Sequence, residues 1–287
     1  MKIVIIGANG QLGQEFFKLP GAHQIIPLTH AEVEVEDAAS VRERLEQHRP
    51  DVVVNLAAFH QVDECEDRSE RAFAVNALGA LNVARAAKEK AAGVMFISTD
   101  YVFGGDQSRD RPYLESDPPS PLSVYGSSKL AGEHLVRIAN PNHFIVRTAG
   151  LYGKVTSHKG WTFPELMLKK AQAGEKLRVV HDQVLTPTYT RDLVQAMLQV
   201  LEKGRPGLYH LTSAGSCSWF EFAQTTLELA GVPAEIEPVP SRSFPARANR
   251  PAYSVLNSER LEPLGIPGLR PWREALKAYL VEKGVIR

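Results

Sequence analysis

Short, nearly continuous apolar runs alternate with amphipathic stretches through the first half of the chain. Residues 2–6, 24–28, 51–55, 94–98 and 143–147 are short and rich in β-branched side chains. That is how strands covered on both faces read. Between them, apolar positions at helical spacing predict helices over 11–19, 38–47, about 70–90 and 123–139. Strand and helix alternating in this way predict βαβ units and a parallel sheet with helices on both faces. The second half is less regular. It predicts helices over 163–173, 191–203, 219–230 and 271 to about 282, with strands 177–180 and 208–211 as candidates to extend the sheet. The expected fold is α/β: a Rossmann-type doubly wound parallel sheet from 1–150 plus about 177–212. A smaller, mainly C-terminal α/β substrate domain is expected from about 151–176 plus 213–287.

Composition narrows the class. The 287 residues are enough for a sizeable core, and 33 basic against 33 acidic side chains leave no net charge. A nucleic-acid coat or an anionic-membrane binder needs a basic excess, so neither partner is expected. No apolar run approaches the ~18 residues of a membrane span. Cys65 and Cys217 lie far apart and read as reduced thiols, and no signal-peptide layout precedes the first strand, so a cytoplasmic location is expected. The nine histidines show no paired metal-ligand spacing, and no metal is expected. Trp161, Trp219 and Trp272 stand near helix starts and read as packing anchors; the acidic run 64–67 reads as solvated.

The first strand leads into Gly-Ala-Asn-Gly-Gln-Leu-Gly at 7–13 and then into a helix. In this setting Gly7 permits the tight turn, Gly10 a close backbone approach to a pyrophosphate, and Gly13 close helix–strand packing. The N-terminal helix end adds free N–H groups for the phosphates. The glycine spacing is one residue longer than the usual dinucleotide fingerprint. An acid about 20 residues on normally holds the adenosine ribose. Here the second strand ends in Leu28, Thr29 and His30, and Glu32 and Glu34 come late. NADH and NADPH both stay open as cofactor.

Tyr125 and Lys129, at i and i+4, share one helix face. A nearby ammonium favours the phenolate and moves the phenol toward the working range. Tyr279 and Lys283 have the same spacing but lie on the last helix, away from any strand end, and read as structural. The fourth strand ends in Ser98, Thr99, Asp100 and Tyr101, where open α/β sheets collect ligands. A Thr99 hydroxyl beside Tyr125 is suited to polarising a carbonyl.

With these residues in hand, the chain resembles extended short-chain dehydrogenase/reductases, and among them the dTDP-4-dehydrorhamnose reductase family. The resemblance runs through 7–13, 55–63, 98–103, 121–133, 147–153, 182–193, 207–210, 218–222 and 250–257. It implies Tyr125, Lys129 and Thr99 as catalytic residues. Gly7, Asn9, Gly10, Gln11, Leu12, Gly13, Thr29, Glu34, Val35, Ala57 and Ala58 would line the cofactor, together with Tyr125 and Lys129. His60, Val62, Thr99, Asp100, Tyr101, Arg247 and Arg250 would meet the nucleotide sugar, with Asn257 nearby; guanidinium groups suit a diphosphate. The implied reaction is NAD(P)H-dependent reduction of the C4 ketone of dTDP-4-dehydro-L-rhamnose to dTDP-L-rhamnose. The sequence departs from the family at His60, at Thr29, and at Gly150, where relatives carry an aromatic. These departures keep a reductase or epimerase of another nucleotide sugar as an alternative. A non-catalytic NADP-binding regulatory subunit, similar to the methionine adenosyltransferase β subunit, is a second. A homodimer is compatible with the sequence, which does not set the assembly.

Overall fold

A computed structural model describes residues 1–18, 23–155 and 160–287. Strands β1 (Lys2–Ile6), β2 (Gln24–Leu28), β3 (Val52–Asn55), β4 (Gly93–Thr99) and β5 (His143–Thr148) are followed by four short strands: β6 (Leu151–Tyr152), β7 (Leu177–Val180), β8 (Val184–Leu185) and β9 (Thr188–Tyr189). Then come β10 (Gly207–His210), β11 (Cys217–Ser218) and β12 (Ile236–Val239). The helices are α1 (Gln11–Glu15), α2 (Ala38–His48), α3 (Val62–Asp67), α4 (Ser69–Phe73), α5 (Ala80–Glu89), α6 (Val124–Ala139), α7 (Phe163–Gln172), α8 (Thr190–Lys203), α9 (Trp219–Ala230) and α10 (Trp272–Glu282).

The main sheet is parallel throughout, in the order β10-β5-β4-β3-β1-β2. From β1 the chain goes outward to β2, then crosses back to β3 on the other side. The order therefore reverses between β1 and β3, and the crevice at their carboxyl ends is where such sheets take ligands. Alternate residues feed two cores. Ile3, Ile5, Val52, Val54 and Met95 pack against Leu193, Val194 and Met197 of α8. Val4, Ile6, Val53, Val94 and Phe96 pack against Val41 and Leu45 of α2, Val83 and Ala87 of α5 and Val136 of α6. A third core gathers Tyr152, Leu168, Leu177, Tyr189, Phe222, Leu276 and Tyr279.

Three expectations change. The strand 177–180 does not extend the sheet; it pairs in parallel with β12, Leu177 opposite Ile236, inside the third core. The helix expected over 70–90 is interrupted by a wide π turn, Ala74–Gly79. There the Asn76 side chain leaves the helix surface to accept from Phe59 N at 2.9 Å and to donate to Phe59 O and Ser128 Oγ at 2.9 and 3.0 Å. The helix expected over 11–19 closes at Glu15, since Phe16 N and Lys18 N bond three residues back, to Gly13 O and Glu15 O. Its expected last residue, Leu19, lies outside the described residues. Among the described residues, no helix is long and apolar enough to cross a membrane. Tyr279 is buried and shares a 2.9 Å hydrogen bond with Thr162, while Lys283 pairs with Glu165, a structural arrangement.

One buried charge pair ties α6 to the sheet. Arg147 of β5 bonds both oxygens of Glu133 at 2.8 and 2.6 Å, and Ser98 of β4 donates to Glu133 at 2.5 Å. Removing one partner strands the other charge in a low-dielectric interior. Arg147→Met is expected to lower the unfolding free energy by about 3–5 kcal/mol, measured by denaturant titration. A loss below 1 kcal/mol contradicts the assignment, and Glu133→Leu added to Arg147→Met is expected to recover part of the loss.

Candidate active site

The crevice between β1 and β3 is built around glycine. Gly7 has φ +82°, and a Cβ there would lie 3.2 Å from Ala57 N and Leu56 C. A side chain would therefore push the turns after β1 and β3 apart. A Cβ on Gly13 would lie 2.7 Å from the Gly7 and Ala8 carbonyl oxygens. Gly7 N and Ala8 N both donate to Leu28 O, which locks the turn to β2. The Gln11 side-chain nitrogen is buried here with no partner among the described residues. Narrow glycine walls and an orphaned donor fit a dinucleotide pyrophosphate.

At the end of β2, Thr29 stands where the usual acid would be, but a carboxylate still reaches the spot. The turn over 29–33 closes through Val33 N to Thr29 O, and Glu32 Oε2 accepts from Thr29 N and Oγ1 at 2.8 and 2.9 Å. These bonds from Thr29 hold the Glu32 carboxyl below its ordinary range. Glu34 faces His30 at 3.4 Å. Val35 turns its side chain into the core, and its carbonyl accepts from Asn82 at 3.0 Å. Ala57 N is taken by Asn55 Oδ1, at the start of the segment 57–62.

Thr99 ends β4 and caps the turn Asp100–Val102, accepting from Tyr101 N at 3.2 Å and donating to Asp100 Oδ1 at 3.0 Å. Ser254 donates to the other Asp100 oxygen at 2.6 Å, and burial pushes that carboxyl up to about 6. Helix α6 begins beside this turn, its Ser123 side chain accepting from Gly126 N at 3.1 Å. A Cβ at Gly126 would sit 2.1 Å from Tyr101 O, so only glycine allows this approach. The half-buried Tyr125 is thereby set next to Thr99 and edge-on to Tyr101, ring centroids 5.9 Å apart. Burial pushes the Tyr125 phenol above its ordinary value, and the Thr99 hydroxyl opposes that by hydrogen bonding to it. Burial thus works against the lowering that a nearby ammonium would bring. Lys129 is buried, its Nζ 4.1 Å from the Phe96 ring centroid; burial pulls it down to about 7, partly offset by Glu133 one turn further on.

His60 and Val62 are half-buried on the segment between β3 and α3. Arg250 bonds both oxygens of Asp63, at 2.6 and 3.3 Å, and Arg247 pairs with Asp67. Asp63 also accepts from Arg247 N and Ala248 N, so α3 clasps the 238–251 segment. The run 64–67 is thus not merely solvated: Asp67 takes Arg247 and Glu66 accepts from Val124 N at the start of α6. Asn257 is turned to the fold, its carbonyl on His210 and its side chain on Ser258 N.

A cavity of about 320 Å³ lies beside the clasp, lined by Asp63, Phe163, Gln183, Trp219, Phe244 and Arg250 among others. Trp219 is therefore a wall of this cavity as well as a neighbour of Phe163, whereas Trp272 is buried in the core. A narrow crevice between Asp100, Tyr101, Gln183, Leu185, Trp219 and Ser254 shares Gln183 and Trp219 with this cavity and Asp100 and Tyr101 with the Thr99 turn. Asp63 and Gln183 entered the sequence reading only as members of matched runs, Asn76 and Phe163 only as members of expected helices, and Phe244 carried no sequence signal. Among the described residues no group of three or more His, Cys, Asp or Glu side chains is placed to hold a metal ion.

A family described as RmlD substrate binding domain matches residues 1–284. A dTDP-4-dehydrorhamnose reductase of Mycolicibacterium smegmatis is 42% identical over 280 residues, 96% of this chain and 84% of its own. A dTDP-4-keto-6-deoxy-D-glucose reductase of Streptomyces niveus is 36% identical over 277 residues, 95% of this chain and 94% of its own. The crystal structure of a dTDP-4-dehydrorhamnose reductase from Bacillus anthracis in complex with NADP matches with a TM-score of 0.93 and 35% identity, covering 98% of this chain and 99% of that one. Matches that run nearly end to end mean that this chain belongs to the family described as RmlD substrate binding domain.

Proposed function

We propose that this protein reduces the C4 ketone of dTDP-4-dehydro-L-rhamnose to dTDP-L-rhamnose, with NADPH or NADH as reductant. The observation that carries the reading is the Tyr125 phenol hydrogen-bonded to the Thr99 hydroxyl at the end of β4, with Lys129 buried one turn further along α6. The named relatives support it, and the NADP in the Bacillus anthracis protein supports the cofactor class.

Gly7, Asn9, Gly10, Gln11, Leu12 and Gly13 would hold the pyrophosphate, Thr29, Glu34 and Val35 the adenosine end, and Ala57 and Ala58 the edge facing β3. When bound, the reduced nicotinamide supplies a hydride to C4. Thr99 holds the ketone oxygen, and Tyr125 gives it a proton as negative charge develops there. Lys129 stabilises the phenolate that results. A phenol kept protonated by burial is the form a reduction needs, since the proton must leave the enzyme. His60, Val62, Asp100 and Tyr101 would border the sugar, and Arg250 and Arg247 the diphosphate side of the 320 Å³ cavity. Gly150 favours a second reading, a reductase of another dTDP-linked 4-keto-6-deoxy sugar. Following NAD(P)H oxidation with both sugars decides between them. Cofactor binding without oxidation by any keto sugar would instead indicate a regulatory subunit.

Tyr125→Phe is expected to lower kcat by about 10²–10⁴ with cofactor Kd nearly unchanged; steady-state kinetics and fluorescence titration check this, and retained turnover removes Tyr125 from its role. Glu32→Gln is expected to raise the NADPH/NADH ratio of kcat/KM roughly fivefold, because about 1 kcal/mol of repulsion toward a 2′-phosphate is lost at an exposed site. An unmoved ratio places Glu32 away from the ribose. The Lys129 ammonium, with its folded-state pKa lowered to about 7, costs the fold most below pH 7, and the cost declines as pH rises toward 10.5. Lys129→Met is therefore expected to abolish turnover and to raise Tm more at pH 6 than at pH 9, measured by calorimetry.

A further inference from the structure

At residue 150 the direction in which a side chain would project is already filled. A Cβ there would lie 2.8 Å from Leu185 Cδ1 and 3.1 Å from Pro187 Cα, and the backbone is left-handed, φ +54°. Gly150 makes room for Leu185. The strand that carries Leu185 is held on both sides: Val184 N bonds Ala252 O, Ser254 N bonds Val184 O, and Leu185 pairs with Cys217 of β11. Thr186 next along donates to Gly215 O at 2.8 Å. Leu185 is thus a buried side chain on a backbone with little freedom to shift.

Its other face closes the narrow crevice, with Tyr101, Val184, Trp219 and Pro251 beside it and Asp100, Gln183 and Ser254 as the polar part of the lining. The crevice shares Asp100 and Tyr101 with the Thr99 turn, and Gln183 and Trp219 with the large cavity. A sugar linking the catalytic turn to a nucleotide in the cavity must pass an edge across it. Its free volume is about 10 Å³, room for one water-sized or methyl-sized group. The Asp100 oxygens inside it already accept from Thr99 and Ser254.

We infer that Leu185 determines specificity: it shapes an apolar notch that takes the C6 methyl of a 6-deoxy 4-keto sugar and turns away a C6 hydroxymethyl. The larger group overfills the notch and buries a hydroxyl against an aliphatic wall. This rests on the reading of the protein as a reductase of a dTDP-linked keto sugar, and the experiment separates the two.

The probes are dTDP-6-deoxy-D-glucose and dTDP-D-glucose, which differ by one oxygen at C6, with binding measured by calorimetry in the presence of NADPH. The wild-type protein is expected to bind the 6-deoxy sugar roughly 10–100-fold more tightly. Leu185→Ala is expected to bring the two within about threefold, chiefly by admitting dTDP-D-glucose to the enlarged notch, with NADPH affinity unchanged. Leu185→Met, of similar volume, is expected to keep the preference, which separates loss of the wall from loss of the fold. Equal binding by the wild type, or an unchanged preference in Leu185→Ala, overturns the proposal. Failure of both sugars to bind the wild type overturns the dTDP-sugar reading along with it.

Discussion

A Cβ at Gly126 would stand 2.1 Å from the Tyr101 carbonyl oxygen, and one at Gly132 would stand 2.3 Å from the Asn76 carbonyl oxygen. These two contacts set how near α6 comes to the end of β4 and to the π turn Ala74–Gly79. Tyr125 lies one residue before the first contact, and Lys129 lies between the two. Their separation from Thr99 is therefore fixed by backbone against backbone, which is stiffer than any side-chain packing. Asn76 reinforces the arrangement, since one amide joins the loop after β3 to Ser128 of α6. A π turn inside a helix is a common device at functional sites, and here it frees that amide to face inward.

The same close packing fixes the electrostatics. Lys129 is excluded from water and meets an aromatic face, so its charge depends on Glu133 one turn away. Glu133 is itself neutralised by Arg147, leaving Lys129 only partly compensated. On the other side, burial keeps Tyr125 protonated while Asp100 is pushed toward neutrality. A protonated phenol and a weakly held ammonium thus sit one helical turn apart, in surroundings of low dielectric where each responds strongly to a neighbouring charge.

Much of this was legible in the sequence because it is local. Strand β1 into Gly7, Gly10 and Gly13, the end of β4 at Thr99, and the i, i+4 pair on α6 are each set by a few neighbouring residues. What stayed hidden depends on chain reversal or distance. Glu32 looked too late to serve the end of β2, yet a tight turn carries its carboxylate back to Thr29. Trp219 read as packing because its helix start shows no sign of Phe163 or the cavity. Arg247 and Arg250 suited an anion, and nothing nearby in sequence announced Asp63 and Asp67 as their partners. The family aromatic absent at 150 could be seen as a loss; that Leu185 fills the gap could not.

The clasp of Asp63 on Arg250 joins residues 187 positions apart. A ribosome makes the glycine crevice, Thr99, Tyr125 and Lys129 long before it makes Arg250. The dinucleotide side of the molecule is thus complete as sequence while the wall at Phe244 and Arg250 does not yet exist. Domains fold as their residues emerge, so a nascent chain has an interval in which the crevice has all its residues and the cavity stands open. Asp63 and Asp67 of α3 spend that interval without the charge partners that residues 238–251 later bring.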